Sequence, residues 1–80
     1  MKVLITGGAG FLGSHLCDAF VGRGDQVTCL DTGSTRKVEH LLPQGNFRYV
    51  HDSVLNAPMV DALVAKADLV YHLAAVVQRV

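Results

Sequence analysis

The sequence has no net charge, with seven lysines and arginines against seven aspartates and glutamates. That balance gives no support for a nucleic-acid partner or an anionic membrane surface. No apolar run approaches the roughly 20 residues that a bilayer span needs. The N-terminus, Met1-Lys2-Val3-Leu4-Ile5, passes directly into a strand pattern and then into glycines. It lacks the longer apolar stretch and small-residue cleavage site of a secretory signal, so a cytoplasmic location is expected. There are only two cysteines, Cys17 and Cys29. They form no C-x-x-C pair, are too few for a disulfide framework, and are expected as small buried hydrophobes. The four histidines show no metal-ligand spacing with them. Linkers, repeats and low-complexity tracts are absent as well.

What remains is a globular composition, half hydrophobic and 18% charged. Eighty residues allow at most one domain. At this size a chain buries only a little over 60%, roughly, of its unfolded surface.

Four of the eight glycines fall between positions 7 and 13, within "ITGGAGFLGSHL" (Ile5 to Leu16). Glycine costs backbone entropy, so such a cluster needs either a sharp bend or a close approach to the main chain. "VLIT" (Val3 to Thr6) before it reads as a strand covered on both faces. After it, Phe11, Leu12, His15, Leu16, Ala19 and Phe20 fall on one helical stripe, with Gly22 and Gly24 as a stop. "QVTCLD" (Gln26 to Asp31) is a second strand. A polar turn, "TGSTR", leads to a short helix over Lys37 to Leu42, ended by Pro43. "NFRYVHD" (Asn46 to Asp52) is a third strand. Asn56-Ala57-Pro58 begins a helix whose inward stripe is Val60, Leu63, Val64 and Ala67. "ADLVYHLAA" (Ala67 to Ala75) is a fourth strand. The alternation implies an α/β fold, a Rossmann-type doubly wound parallel sheet with strand order 3-2-1-4. The chain stops just after the fourth strand, so it reads as the front of a larger domain, with an apolar strand edge exposed.

The glycine loop leaves the first strand and opens the first helix. Gly8, Gly10 and Gly13 satisfy G-x-G-x-x-G, and Gly7, Gly10 and Gly13 satisfy G-x-x-G-x-x-G. In this setting one glycine permits the turn, another lets a pyrophosphate approach, and Gly13 lets the helix lie close to the sheet. Free N–H groups at the helix start then face an anion. Asp31 ends the second strand, 18 residues after Gly13. A carboxylate there accepts both hydroxyls of an adenosine ribose and repels a 2′-phosphate. Two unit charges near 4 Å interact by about 4 kcal/mol at an effective dielectric of 20, which favours NAD over NADP. A turn or N-cap aspartate is the rival reading. Arg36 argues the other way, because a guanidinium in this turn accepts a 2′-phosphate. Asp52, with Ser53 beside it, reads either as an adenine contact or as a helix cap. Ala74 and Ala75 leave room for a flat ligand. His72 and His15 read as structural residues.

"TGGAGFLGSHL", "LD" followed by "TGSTR", the third-strand "HD" and "YHLAA" together resemble the extended short-chain dehydrogenase/reductase family, in its nucleotide-sugar epimerase/dehydratase/decarboxylase branch. The resemblance covers the whole chain but only about the first quarter of a typical member. It implies that residues 1–80 are the N-terminal part of a single NAD(P)-binding Rossmann domain, without the catalytic and substrate-binding parts. On the family pattern Gly7, Gly10, Phe11 and Leu12 line the pyrophosphate. Asp31 holds the ribose, with Thr32, Ser34, Thr35 and Arg36 around it. Asp52 and Ser53 flank adenine, and Leu73, Ala74, Ala75 and Val77 approach the nicotinamide. Members often carry Ile or Leu where Ser53 stands, and some place a lysine near Val77.

The family's chemistry uses a Tyr-x-x-x-Lys pair, whose tyrosine removes a sugar-hydroxyl proton while hydride passes to NAD. The two tyrosines here are Tyr49 and Tyr71, with Ser53 and Ala75 four residues on. No catalytic residue can be named, and the chain by itself is expected to be inactive. A full-length relative would take a nucleotide sugar and form a homodimer. A non-catalytic NAD(P)-binding module or redox sensor using the same cradle is the alternative.

Overall fold

A computed structural model describes residues 1–73. The elements are β1 (Lys2–Thr6), α1 (Phe11–Gly22), β2 (Gln26–Asp31), a single 3-10 turn (Glu39–Leu41), β3 (Phe47–His51), α2 (Ala57–Lys66) and β4 (Leu69–His72). The four strands form one sheet in the order β3-β2-β1-β4, and every pairing is parallel. This is the expected Rossmann-type arrangement.

β1 lies at the centre, and its consecutive apolar residues follow from that position. Val3, Leu4, Ile5 and Thr6 are all buried, because both faces of the strand are covered. On one face Val3 and Ile5 join Val27, Cys29 and Phe47 of the sheet, Cys17 and Phe20 of α1, and Val38 and Leu41 around the 3-10 turn. This is the main core. The face carrying Leu4 is thinner. No residue of α2 is fully buried, and Leu63, Lys66 and Ala67 border an open cavity of about 160 Å³ with Lys2, Thr28 and Arg48.

The buried stripe of α1 differs from the expected one. Gly13, Ser14, Cys17 and Phe20 face the sheet, while Phe11 and Leu12 are 73% and 60% exposed. His15 and Ala19 are also exposed, and Leu16 is half-buried. The cause is proximity. The first turn of α1 lies against the loop that feeds it, and only small side chains fit there. Phe11 instead packs edge-on against the ring of His15, with centroids 4.7 Å apart.

Gly24 takes the left-handed conformation that ends α1 (φ 89°), while Gly22 is simply its last helical residue. The helix expected over Lys37 to Leu42 is reduced to the 3-10 turn, with Val38 and Leu41 as its buried anchors. In α2, Val60 and Leu63 are half-buried as expected, but Val64 is 43% exposed and Ala67 lies just beyond the helix. β3 is one residue shorter at each end than the expected Asn46 to Asp52, and β4 begins at Leu69 rather than Ala67. The end of the run after β4, including Ala74, Ala75 and Val77, lies outside the described residues. The two cysteines are buried and free.

Candidate functional site

The carboxyl ends of β1, β2, β3 and β4 meet along one edge of the sheet, where Thr6 is in register with Leu30 and His72, and Asp31 with His51. The glycine loop rises from this edge. Gly7 turns the chain with φ 75°, a conformation that strains any residue with a Cβ, and its N–H donates to the Leu30 carbonyl at 2.8 Å. The Gly10 N–H returns to the Gly7 carbonyl at 3.2 Å, and Gly10 is the N-cap of α1.

The remaining loop glycines answer to different constraints. A Cβ at Gly13 would overlap the carbonyl of Gly7 and come within 2.5 Å of the Gly8 Cα. A Cβ at Gly8 would lie 2.5 Å from Cys29 Sγ and 3.1 Å from Cys17 Sγ. Gly10 is different. Its nearest neighbour would be the Gly7 carbonyl oxygen at 3.4 Å, an ordinary contact, so nothing within the chain demands a glycine there. Gly10, Phe11 and Leu12 are all exposed. Among the described residues the N–H groups of Phe11, Leu12 and Gly13 find no acceptor, and α1 has no side-chain cap.

Asp31 stands beside this loop. Its Oδ2 accepts the Ala9 N–H at 3.0 Å and its Oδ1 accepts the Gly33 N–H at 2.9 Å. Both oxygens are thereby fixed, and each keeps capacity for a further donor. The turn reading of Asp31 is realised here, because its bond to Gly33 closes an Asx turn. The same residue is also tied to the glycine loop.

Beyond Asp31 the chain runs outward. Thr32, Ser34 and Arg36 are exposed and Thr35 is half-buried. Ser34 Oγ accepts the Arg36 N–H at 3.2 Å, and the Thr35 carbonyl accepts the Val38 N–H at 2.9 Å. Two residues that the sequence did not single out for a site hold this segment. The Tyr49 hydroxyl donates to the Gly33 carbonyl at 2.7 Å, and His51 Nε2 donates to the Thr32 carbonyl at 2.9 Å. Their i, i+2 spacing put them on one face of β3, but no motif reveals a side chain aimed at a backbone carbonyl. Burial and the Asp31 carboxylate push the Tyr49 phenol upward, so it remains a donor. The Cys17 thiol beside Cys29, followed by burial, pushes the Cys29 thiol far above its ordinary range.

At the end of β3 the Asp52 N–H donates to the Asp31 carbonyl at 3.1 Å. Asp52 Oδ1 accepts the Ser53 N–H at 2.7 Å, and Oδ2 accepts Asn56 Nδ2 at 2.9 Å. Asn56, not Asp52, caps α2, accepting the Met59 N–H at 3.4 Å. Asp52 braces that cap. Ser53 Oγ accepts the Leu55 N–H at 3.0 Å. Past β4, the Leu73 N–H donates to the Thr6 carbonyl at 2.8 Å, and His72 Nδ1 lies 2.8 Å from Thr6 Oγ1; this histidine is hydrogen-bonded as expected, but it is exposed rather than packed. Gly7, Gly10, Asp31, Asp52 and Leu73 thus share one edge of the sheet. Among the described residues no cluster of three or more His, Cys, Asp or Glu could hold a metal, and no helix is long and apolar enough to cross a membrane.

This arrangement matches known proteins. The model of the NAD dependent epimerase/dehydratase family matches residues 3–80. UDP-glucuronic acid decarboxylase 1 of Danio rerio is 43% identical over 76 residues, covering 91% of this chain and 17% of that protein. UDP-N-acetyl-alpha-D-glucosaminuronate decarboxylase of Bacillus cytotoxicus is 42% identical, covering 94% of this chain and 24% of that protein. The enzyme WbmG of Bordetella bronchiseptica, solved in complex with NAD and UDP, superposes with a TM-score of 0.80 at 33% identity, covering 96% of this chain and 26% of that one. The chain therefore spans a quarter or less of the length of these two curated relatives. With the sheet order, the glycine loop and the family match in agreement, the chain belongs to the NAD-dependent epimerase/dehydratase family of extended short-chain dehydrogenases/reductases.

Proposed function

We propose that the chain is the NAD-binding segment of a nucleotide-sugar epimerase, dehydratase or decarboxylase. In this reading residues 1–80 form the N-terminal part of one Rossmann domain. The Tyr-x-x-x-Lys pair and the sugar pocket come from chain beyond it, as the relatives' greater length suggests. The observation that carries the reading is Gly10, which the fold leaves uncrowded and exposed beside three first-turn N–H groups without acceptors. A main chain kept bare where nothing inside the protein requires it suits the close approach of an anion.

The residues fit a dinucleotide. Gly7, Gly10, Phe11, Leu12 and Gly13 would line its diphosphate. Asp31 would take the adenosine ribose hydroxyls, with Thr32, Ser34, Thr35 and Arg36 around them. Asp52 and Ser53 would lie at the adenine, and Leu73, with Ala74, Ala75 and Val77, on the nicotinamide side. When bound, NAD supplies a transient hydride acceptor. The chain's own work is to hold and orient it. The fixed carboxylate of Asp31 disfavours a 2′-phosphate, so NAD is preferred to NADP.

Calorimetric titration of the chain with NAD and NADP tests this directly. Saturable NAD binding, weaker for NADP, is the expected result. No binding of either, by a chain shown to be folded, would refute it. A non-catalytic module would bind identically. Activity of the longer protein on nucleotide sugars separates the two.

A further inference from the structure

We infer that Tyr49 and His51 of β3 are positioning residues that set the preference for an unphosphorylated adenosine ribose, acting through the two peptides on either side of Gly33 on the carboxylate of Asp31. The inference rests on the reading of Asp31 as the ribose contact. It adds two residues on a neighbouring strand that reach no ligand themselves.

The geometry is a chain of three links. Asp31 Oδ1 is held by the Gly33 N–H at 2.9 Å. That N–H belongs to the same planar peptide as the Thr32 carbonyl. His51 Nε2 donates to that carbonyl at 2.9 Å, so the peptide is pinned at both poles and cannot rotate without breaking one bond. The next carbonyl, of Gly33, accepts the Tyr49 hydroxyl at 2.7 Å, and the same hydroxyl lies 3.4 Å from the Asp31 carbonyl. The two rings lie side by side, with centroids 6.3 Å apart and planes 22° from parallel. Tyr49 packs on the core, which fixes the base of the clamp. Gly33 fits closely too, since a Cβ there would sit 3.3 Å from Asp31 Oδ1.

Selection against a 2′-phosphate depends on where the negative charge of Asp31 stands. Coulomb repulsion falls with distance, and a carboxylate free to turn away loses both its repulsion of a phosphate and its bonds to hydroxyls. Thr32 and Gly33 are exposed, with little packing of their own. Removing the His51 donor frees the peptide whose N–H orients the carboxylate, and removing the Tyr49 hydroxyl frees the peptide that follows it, so Gly33 is held on one side only.

The test is titration of NAD and NADP into the unmodified chain and into Tyr49→Phe, His51→Leu and His51→Gln. Tyr49→Phe removes only a hydroxyl, so it preserves the core contact. The ratio of NAD to NADP affinity should shrink about 3- to 10-fold in Tyr49→Phe and His51→Leu, the range of one lost hydrogen bond. His51→Gln, which keeps a donor, should restore much of it. Amide exchange of the ligand-free variants should accelerate at Gly33 and Ala9 while the amides of β1 keep their protection. A purely structural role would weaken both dinucleotides alike, and that outcome would overturn the inference. So would an unchanged ratio in both variants when the unmodified chain binds NAD. If the unmodified chain bound neither dinucleotide, the function proposed above would fall and this inference with it.

Discussion

The Asp31 carboxylate and the Ala9 main chain, 22 residues apart, are joined by a 3.0 Å hydrogen bond that ties the tip of β2 to the glycine loop. The acid thus holds the shape of the loop as well as standing ready for a ligand. Asp31→Ala should lower NAD affinity and narrow its margin over NADP. It should also cost about 1 to 3 kcal/mol of stability, since two bonds to a charged acceptor are lost. Paired dinucleotide titrations and a urea melt read the two effects. An unchanged NAD to NADP ratio would remove Asp31 from the ribose role.

Gly13→Ala should be costly. The added methyl meets the Gly7 carbonyl and the Gly8 Cα, which are backbone atoms that cannot swing aside. Overpacking of this kind costs typically about 1 to 3 kcal/mol. Chemical denaturation should show the loss without any ligand present, and a wild-type midpoint would contradict the close helix-to-loop contact.

Gly10→Val should behave in the opposite way. The Cβ has ordinary room, so stability should fall by no more than about 1 kcal/mol, the scale of an altered N-cap. Binding of NAD should be largely abolished, because the branched side chain occupies the space in front of the bare peptide. Normal calorimetric binding by this variant would show that the diphosphate does not rest there.

Alkaline pH should destabilise the fold through Cys29. Its ordinary value is 9.0, and in the folded chain the neighbouring Cys17 thiol and burial raise it. Above pH 9.0 the unfolded chain loses this proton while the folded chain retains it. The stabilisation is therefore complete below that pH and declines as pH rises, at up to about 1.4 kcal/mol per pH unit. Tyr49, also raised, acts in the same sense from a higher starting value. Melts between pH 8 and 11 should show a shallower decline for Cys29→Ala than for the unmodified chain, and equal slopes would discount the buried thiol.

The sheet order was legible because β1 carries four consecutive buried residues, which marks a central strand, and each crossover is short, leaving one right-handed arrangement. The glycine loop was legible because a strand, a helix and Asp31 frame it at fixed spacing. The inner face of α1 was not. Hydrophobic periodicity assigns Phe11 and Leu12 to the core, but steric closeness to Gly7 and Gly8 gives that face to Gly13, Ser14 and Cys17. The roles of Tyr49 and His51 were also hidden, since their partners are carbonyls 16 and 19 residues away and carbonyls have no sequence signature. The sequence allows Asp52 as either ligand or cap, and Asn56 takes the cap itself.

β1 pairs with β2 across 24 residues and with β4 across 66. Ring-closure entropy rises as the logarithm of loop length, so the second pairing starts about 0.9 kcal/mol behind the first. Assembly should therefore zip from the β1–β2 seam outward, with β4 docking last. On a ribosome, one flank of β1 stays open until the chain through His72 has emerged, which makes that flank the place where nascent copies could snare each other.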